Sequence, residues 1–268
     1  MRALSLLALL CLLSAAPAAG QGIVVPIRCV GACPAASIPS GSLAIDSVQV
    51  WANLERGEAV TYVNNVIRNA GPVAVDGAFF FPVPRGAVVD RVTLYEGQEL
   101  KVYGEWSGPE ESRWILEGLA RERPDARLAA YAGVEVVHVR VPSVPAGGTQ
   151  DLQVSYRVPL RPEGGAIAYR YPLSVGAAAG PHPHLRLGLT VKTEAGFENL
   201  RSPTHEVDVQ LGTESVPCPR EMRCGFRGAP SQRVRVVRLK DAASARSRDF
   251  EFVYTPTPPG AANAASRP

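Results

Sequence analysis

Hydrophobic and polar side chains alternate at every second position along most of the segment from Asp46 to Leu173. Successive side chains of a β-strand point to opposite faces of a sheet, so this period predicts strands with one buried face and one solvated face. Such strands are typical of antiparallel sheets that pack over a shared core. We therefore predict an all-β fold, a mainly antiparallel β-sandwich. The alternating segments are Val48–Leu54, Glu58–Asn69, Val88–Tyr95, Leu100–Trp106, Asp151–Val158 and Ile167–Leu173.

One segment breaks this alternation and predicts a single short helix inserted near 107–119. Ser107 followed by Glu110 matches a capping box, in which the two side chains satisfy backbone N–H groups at a helix start. Pro109 suits the first turn of a helix because its missing N–H would have no partner there. We expect the helix to lie across a sheet or across one end of the sandwich.

Aromatic residues mark the expected core of the sandwich. The triplet Phe79–Phe81 has no polar residue between its rings, which predicts a strand that is buried on both faces. Trp51, Trp106 and Trp114 are predicted as core anchors because large rings are rarely left in solvent without a function.

The region 175–254 predicts four more strands, which either extend the same sandwich or form a second small unit. Its alternating segments are Leu185–Lys192, His205–Leu211, Arg233–Lys240 and Phe250–Tyr254.

The first twenty residues predict a secretory signal peptide. A positive charge at Arg2 precedes the apolar run Ala3–Leu13, which is too short to span a bilayer, and small residues follow it. We expect a secreted or periplasmic protein with no stable membrane insertion after signal cleavage. Residues 21–43 are predicted as an irregular N-terminal arm rich in Pro, Gly and Ser, and residues 255–268 as a disordered tail.

The charge balance is nearly neutral, with 28 Lys and Arg against 25 Asp and Glu, which argues against a nucleic-acid partner. Basic residues nevertheless concentrate between Arg220 and Lys240, and this region is a candidate contact for a glycan or another anionic ligand. A solvated strand face explains it more simply, because Arg238 falls on the face opposite to two of the others. The candidate contact residues are Arg220, Arg223, Arg227, Arg233 and Arg235.

Four of the five cysteines lie beyond the signal peptide, as two close pairs. In an oxidising compartment an even number of cysteines favours disulfides, and three connectivities are open. Pairing within each turn-like segment is preferred, and a crossed pairing would clip the N-terminal arm to the far end of the chain. A four-thiolate zinc site is less favoured because the spacings differ from two CxxC knuckles. The residues are Cys29, Cys33, Cys218 and Cys224.

No arrangement of residues predicts catalysis, a cofactor or a resident metal. Ser107 and Ser231 lack the nucleophile-elbow context that a serine hydrolase would need. The pair His182 and His184 falls in a Gly- and Pro-rich stretch, which favours an exposed loop over a metal site. His138 lies within an alternating strand and is expected to be a strand residue. We therefore expect a protein that is not an enzyme.

The order of these elements resembles the VIT (vault protein inter-alpha-trypsin) domain, which precedes a von Willebrand A domain in inter-alpha-trypsin inhibitor heavy chains and in many bacterial secreted proteins. The resemblance covers residues 44–174 well and the rest of the chain loosely. It is carried by hydrophobic and turn-like motifs: Tyr62–Asn65, Phe79–Pro84, Val88–Gly97, Val102–Glu105, Val137–Val141, Pro145–Gly148, Leu152–Tyr156 and Tyr169–Leu173.

The resemblance implies a protein–protein interaction or structural module with a protein partner in the cell envelope or the extracellular space. We expect no von Willebrand A domain in this chain, because nothing in it resembles the DxSxS loop that binds the metal of that domain. Metal-dependent adhesion is therefore not implied.

Overall fold

The computed structural model describes residues 22–31, 41–96, 99–123, 125–174, 184–193, 196–212, 233–240 and 248–257. Sixteen strands and two helices form within these ranges. The strands are β1 (Ile23–Cys29), β2 (Leu43–Glu55), β3 (Glu58–Asn69), β4 (Val75–Pro82), β5 (Val88–Glu96), β6 (Glu99–Tyr103), β7 (Trp106–Ser107), β8 (Val136–Val144), β9 (Thr149–Pro159), β10 (Pro162–Glu163), β11 (Ala166–Tyr171), β12 (His184–Thr193), β13 (Phe197–Arg201), β14 (Val207–Gly212), β15 (Arg233–Leu239) and β16 (Phe250–Pro256). The helices are α1 (Pro109–Glu122) and α2 (Ala126–Ala129).

The strands form one large sheet and two small ones, so the predicted all-β, mainly antiparallel fold is confirmed. The large sheet has eight strands in the order β14-β15-β12-β2-β3-β9-β5-β6. Its one parallel pair among the described strands joins β2 to β12. The small sheets have the orders β1-β4-β8-β7 and β10-β11-β16-β13. Strands from 175–254 therefore complete sheets that begin in the earlier region.

The main hydrophobic core lies between one face of the large sheet and both small sheets. Leu152, Val154 and Tyr156 of β9 point into this core, where the Tyr156 and Phe81 ring centroids are 6.1 Å apart. The described residues on the opposite face of the large sheet, which we call the open face, take no part in either core cluster. Packing on one side only is what the two-residue period of these strands predicts.

The sheet that contains β4 is buried on both of its faces. Phe79 and Phe81 enter the main core, whereas Phe80 points the other way into a second cluster with Leu116 and Tyr131. Every residue of β4 is buried, which confirms the expectation for this aromatic triplet. The two helices cover this second face. Among the described residues, neither helix has the length and apolar character needed to cross a membrane.

Helix α1 begins and ends later than predicted. Its N-cap is Gly108, which has no side chain, so the predicted capping box from Ser107 is wrong. Ser107 instead belongs to β7 and accepts a 2.8 Å hydrogen bond from the Ser112 hydroxyl through its backbone oxygen. The Ser112 Oγ also accepts the backbone N–H of His138 at 2.7 Å. The buried Ser112 therefore ties the helix to the sheet beneath it.

Two predicted irregular segments contain strands. The arm over 21–43 includes β1, because Ile23–Val25 pairs with Ala78–Phe80, with Ile23 and Val25 buried in the second cluster and Val24 in the main core. The predicted tail begins too early, since β16 extends to Pro256. The strand β13 and the helix α2 were also not predicted. Residues 1–20, where the signal peptide is predicted, lie outside the described ranges.

A buried carboxylate joins β1, β4 and β8 of the small sheet that contains β4. Asp76 of β4 accepts a hydrogen bond from Arg28 of β1 at 2.6 Å and one from the backbone N–H of Ser143 in β8 at 2.8 Å. The Arg140 guanidinium lies 3.6 Å away. Burial alone would raise the pKa of Asp76, but the Ser143 hydrogen bond and the Arg28 charge outweigh it and hold the pKa below its ordinary value.

Candidate functional site: a polar cleft on the open face

A row of polar side chains crosses the open face of the large sheet. Strand register places these residues side by side, because Gln49 pairs with Asn64, Asn64 with Gln153, and Gln153 with Thr93. Tyr103 continues the row on β6, opposite Thr93. The strand pattern predicts a solvated face here, yet Asn64, Gln153 and Thr93 are each less than a tenth exposed.

The row runs into a cleft of about 740 Å³ formed over β3, β9, β5 and β6. A cavity of this size falls within the range of about 300–1,000 Å³ that is typical of small-molecule sites. Its lining mixes aromatic, amide, hydroxyl and charged side chains. The lining residues are Glu58, Val60, Tyr62, Asp90, Arg91, Thr93, Tyr95, Tyr103, Gln153, Ser155 and Arg157.

Gln153 forms the floor of this cleft, and only one of the two polar atoms of its side chain has a hydrogen-bond partner. Its side chain is 6% exposed, and its Oε1 accepts a long hydrogen bond of 3.4 Å from the Tyr95 hydroxyl. Its Nε2 is buried and donates to no atom of the described residues. Two strands away, the Gln49 Oε1 is also buried without a donor. Buried polar atoms in proteins nearly always have a partner, so these two amides require an explanation.

The charged side chains of the cleft neutralise one another. The guanidinium of Arg157 lies 2.6 Å from Asp90, and this hydrogen bond together with the Asp90 charge raises the pKa of Arg157 above its ordinary value. The guanidinium carbon of Arg91 lies 5.5 Å from the centre of the Tyr103 ring, within the range of a cation–π contact. The lining contains two carboxylates and two guanidinium groups, so the cleft has no excess charge.

Trp51 lies on the same open face, beside the row of amides. It is 5% exposed, and its indole N–H donates to Asn53 Oδ1 at 3.2 Å. The ring occupies the space over Gly188 of β12, where a Cβ would lie 2.5 Å from a ring carbon. Glycine at 188 therefore allows the tryptophan to pack against the sheet. Trp51 is buried as expected, although it lies outside the main core.

The other two tryptophans are not core anchors, and that prediction is wrong. Trp106 is 44% exposed and Trp114 is 71% exposed. Trp106 begins the edge strand β7, and Trp114 lies on the side of α1 opposite to the buried Ser112 and Leu116. The helix turns its small and aliphatic residues toward the sheet, which leaves the ring in solvent. We call Trp106 and Trp114 the tryptophan surface.

The predicted anionic-ligand residues are only partly described. Arg220, Arg223 and Arg227 lie outside the described ranges, as does the side chain of Arg233. The Arg235 guanidinium carbon lies 5.2 Å from the Phe197 ring centre, on the face of β15 that also buries Val237. Arg238 alternates onto the other face, as expected. Anionic-ligand binding by this region stays a prediction.

Cys29 ends β1, and the other three cysteines, Cys33, Cys218 and Cys224, lie outside the described ranges. The connectivity of the four cysteines therefore stays a prediction.

The described histidines occupy separate places. His138 packs against Phe80, with ring centroids 5.2 Å apart, and burial lowers its pKa although the nearby Glu111 charge opposes this. His205 Nδ1 lies 2.7 Å from the Thr204 hydroxyl. His184 begins β12 and is exposed, and His182 lies outside the described ranges. No three potential metal ligands among the described residues lie close enough to hold an ion.

Sequence reasoning missed the cleft because alternation assigns every polar position of these strands to solvent. Gln153, Ser155 and Arg157 of β9 follow the same period as an ordinary wet face. One available signal was the concentration of amides and tyrosines at the positions of neighbouring strands that face the same side of the sheet, at Tyr62, Asn64 and Gln153.

Comparison with solved structures finds weak likenesses to several larger proteins. One is a Legionella pneumophila protein provisionally described as nutrient-binding, at 13% identity and a TM-score of 0.42, covering 89% of this chain and 72% of that one. Another is an M1 zinc metallopeptidase from Deinococcus radiodurans, at 9% identity and a TM-score of 0.42. This chain is covered to 81% in that match but spans only 43% of the peptidase.

No curated protein sequence matches this chain significantly. A family comparison matches residues 45–156 to the vault protein inter-alpha-trypsin domain. The match runs from β2 to the buried Tyr156 of β9, and it includes the helix and the strands that form the cleft. The match of residues 45–156 to the VIT domain model confirms the resemblance that the sequence motifs indicate.

Proposed function

We propose that this protein is an exported, non-enzymatic interaction module that binds a partner protein through its tryptophan surface. The observation that carries the proposal is the exposure of Trp106 and Trp114, at 44% and 71%. Exposed tryptophans are uncommon on monomeric proteins, and tryptophan is enriched among the residues that dominate the energy of protein interfaces.

The position of the two rings supports a protein partner. They lie on consecutive elements, β7 and α1, which contact each other. Strand β7 is a sheet edge, and an edge strand offers backbone groups to a neighbouring chain.

The N-terminal sequence and the cysteines support export. A positive residue, a short apolar run and small residues precede the first strand. Four cysteines are predicted to form disulfides, and such bonds persist in oxidising compartments such as the periplasm or the extracellular space. A partner protein in the cell envelope or outside the cell is consistent with that location.

The experiment compares capture of envelope proteins by the full mature protein and by its variants. We expect the wild-type protein to retain a defined partner, identified by mass spectrometry. The double variant Trp106→Ala with Trp114→Ala should capture roughly tenfold less of that partner or less still. Val209→Ala is the matched control, since Val209 is 36% exposed on β14, an edge strand of the large sheet, whereas the tryptophans lie on the small sheet and α1. Thermal unfolding shows whether each variant is folded.

Two results would contradict the proposal. Undiminished capture by the folded double variant would show that the tryptophan surface is not the contact. Equal loss in Val209→Ala would show that capture reflects general surface stickiness.

A further inference from the structure

The geometry points to the open-face cleft as a binding site for a short neutral oligosaccharide, independent of the tryptophan surface. The cleft lies over β3, β9, β5 and β6, and its lining includes neither Trp106 nor Trp114. The chemistry of its residues decides which class of ligand it fits.

The first argument is the unpartnered amide at the floor. Gln153 is held in the sheet with its Nε2 buried and without an acceptor, while its Oε1 is already used by Tyr95. A buried donor without a partner destabilises a protein, because the group has lost its bond to water. Because this atom is covered in the structure, a ligand oxygen would complete the amide after a rotation of the Gln153 side chain toward the cleft that it lines. A sugar hydroxyl or ring oxygen is such an acceptor.

The second argument is that the lining residues supply both hydrogen-bond donors and acceptors and carry no net charge. Sugar hydroxyls both donate and accept, so a site for them needs donors and acceptors together. The cleft supplies guanidinium donors at Arg91 and Arg157, carboxylate acceptors at Glu58 and Asp90, and the hydroxyl of Thr93. Two negative and two positive groups leave no net charge, which disfavours an anion or a cation as the ligand.

The third argument is the aromatic wall. Tyr62, Tyr95 and Tyr103 all line the cleft, and Tyr103 is 59% exposed. The C–H groups on the flat face of a sugar ring carry a slight positive charge and are attracted to the negative face of an aromatic ring. The Arg91 guanidinium lies near the Tyr103 ring at 5.5 Å, which restricts where that ring can move.

An extended peptide fits the cleft less well. Peptides that bind sheet proteins usually add a strand at an edge, where backbone groups are unpaired. The floor of the cleft is instead made by β3, β9 and β5, and β9 is paired on both sides along its length. Only side chains face the ligand there, which suits a molecule recognised through hydroxyl groups.

The test is calorimetric titration of the full mature protein with neutral tri- to pentasaccharides of glucose, galactose, mannose and N-acetylglucosamine. We expect at least one of them to bind. We expect Gln153→Met to weaken that binding roughly tenfold, because one hydrogen bond from a buried amide is lost. Tyr103→Ala should weaken it roughly fivefold or more, and this variant is safe for folding because the side chain is largely exposed.

Gln150→Met is the matched control for Gln153→Met. Gln150 is a buried glutamine on the same strand, but it donates to the backbone oxygens of Tyr95 and Asp151 and does not line the cleft. The affinity of the Gln150→Met variant for the saccharide should equal that of the wild-type protein.

Three outcomes would overturn the inference. The first is the absence of heat with every neutral saccharide at millimolar concentration. The second is binding that neither Gln153→Met nor Tyr103→Ala weakens. The third is selective binding of a sulfated oligosaccharide, which would indicate recognition of charge. None of these results depends on the tryptophan surface, so the proposed partner binding is judged separately.

Discussion

The two faces of strand β9 obey the same alternation but do different things. On the inner face, Leu152, Val154 and Tyr156 are fully buried against the small sheets. On the open face, Gln153 and Ser155 are also less than a tenth exposed, yet they lie in a polar cleft. One strand therefore buries aliphatic side chains and the Tyr156 ring on one side and amide or hydroxyl groups on the other, with the buried Tyr156 hydroxyl as the polar exception on the inner face.

The difference separates burial that stabilises from burial that does not. Removing apolar surface from water is favourable by about 25 cal/mol per Å². Burying an amide without a partner is unfavourable by about 1–3 kcal/mol. The inner face has the properties of a folding core, whereas the open face has those of a binding surface that is kept at some cost to stability.

The largest expected effect belongs to the inner face. Leu152→Ala removes a fully buried side chain from the main core and leaves a cavity. We expect the free energy of unfolding to fall by about 2–5 kcal/mol. Urea unfolding followed by circular dichroism measures it.

Arg157→Ala on the open face of the same strand is the control for Leu152→Ala. The Arg157 side chain is 48% exposed, so its ion pair with Asp90 is screened by water. We expect no measurable change in stability. A loss as large as that of Leu152→Ala would remove the distinction between the two faces.

The second effect tests a buried polar group whose partners are all present. Asp76 differs from Gln153 because two donors and a second guanidinium surround its carboxylate. Asp76→Asn keeps the shape but removes the charge, and we expect it to lower the free energy of unfolding by about 1.5–3 kcal/mol at neutral pH. Equal stability of the two proteins would show that the carboxylate is not held by these contacts.

The pH dependence of this difference follows from the lowered pKa of Asp76. A carboxyl group with a depressed folded-state pKa stabilises the protein at pH values above its ordinary pKa of 3.8. That contribution disappears as the pH falls through the lower folded-state value. The advantage of the wild-type protein over Asp76→Asn should therefore be constant near neutrality and shrink in acid, which unfolding curves over a pH series would show.

The sequence was sufficient for the inner face and insufficient for the open one. Alternation placed Leu152, Val154 and Tyr156 on one side because burying apolar groups leaves a strong periodic pattern. Whether the polar side faces open water or a cleft depends on which strands become neighbours. The row from Gln49 to Gln153 arises only from the register of β2, β3 and β9, which no local pattern encodes.

The helix region shows a different limit. Ring size suggested that Trp106 and Trp114 would be buried, but Ser112 and Leu116 occupy the contact between α1 and the sheet. The hydrogen bonds of Ser112 to Ser107 and His138 require a small polar residue at that contact. Side-chain size alone therefore misassigned the buried face, because a specific polar contact determined the rotation of the helix.

The smallest expected effect has the opposite sign and tests the open face directly. Gln153→Met has nearly the same shape but removes the unpartnered donor of the amide. We expect the free energy of unfolding to rise by about 1 kcal/mol. For a chain of this size that gain raises the melting temperature by about 2–4 °C, which differential scanning calorimetry resolves.

Gln150→Met provides the contrast that gives this result its meaning. The Gln150 Nε2 donates to Tyr95 O at 2.7 Å and to Asp151 O at 3.1 Å, so its replacement should lower the melting temperature. Two glutamines on one strand, similarly buried, would then change stability in opposite directions according to whether the amide has a partner. If Gln153→Met also lowered the melting temperature, the amide would already be satisfied in the free protein. The open face would then be an ordinary part of the folded structure, and stability would not be reduced there to keep a binding surface.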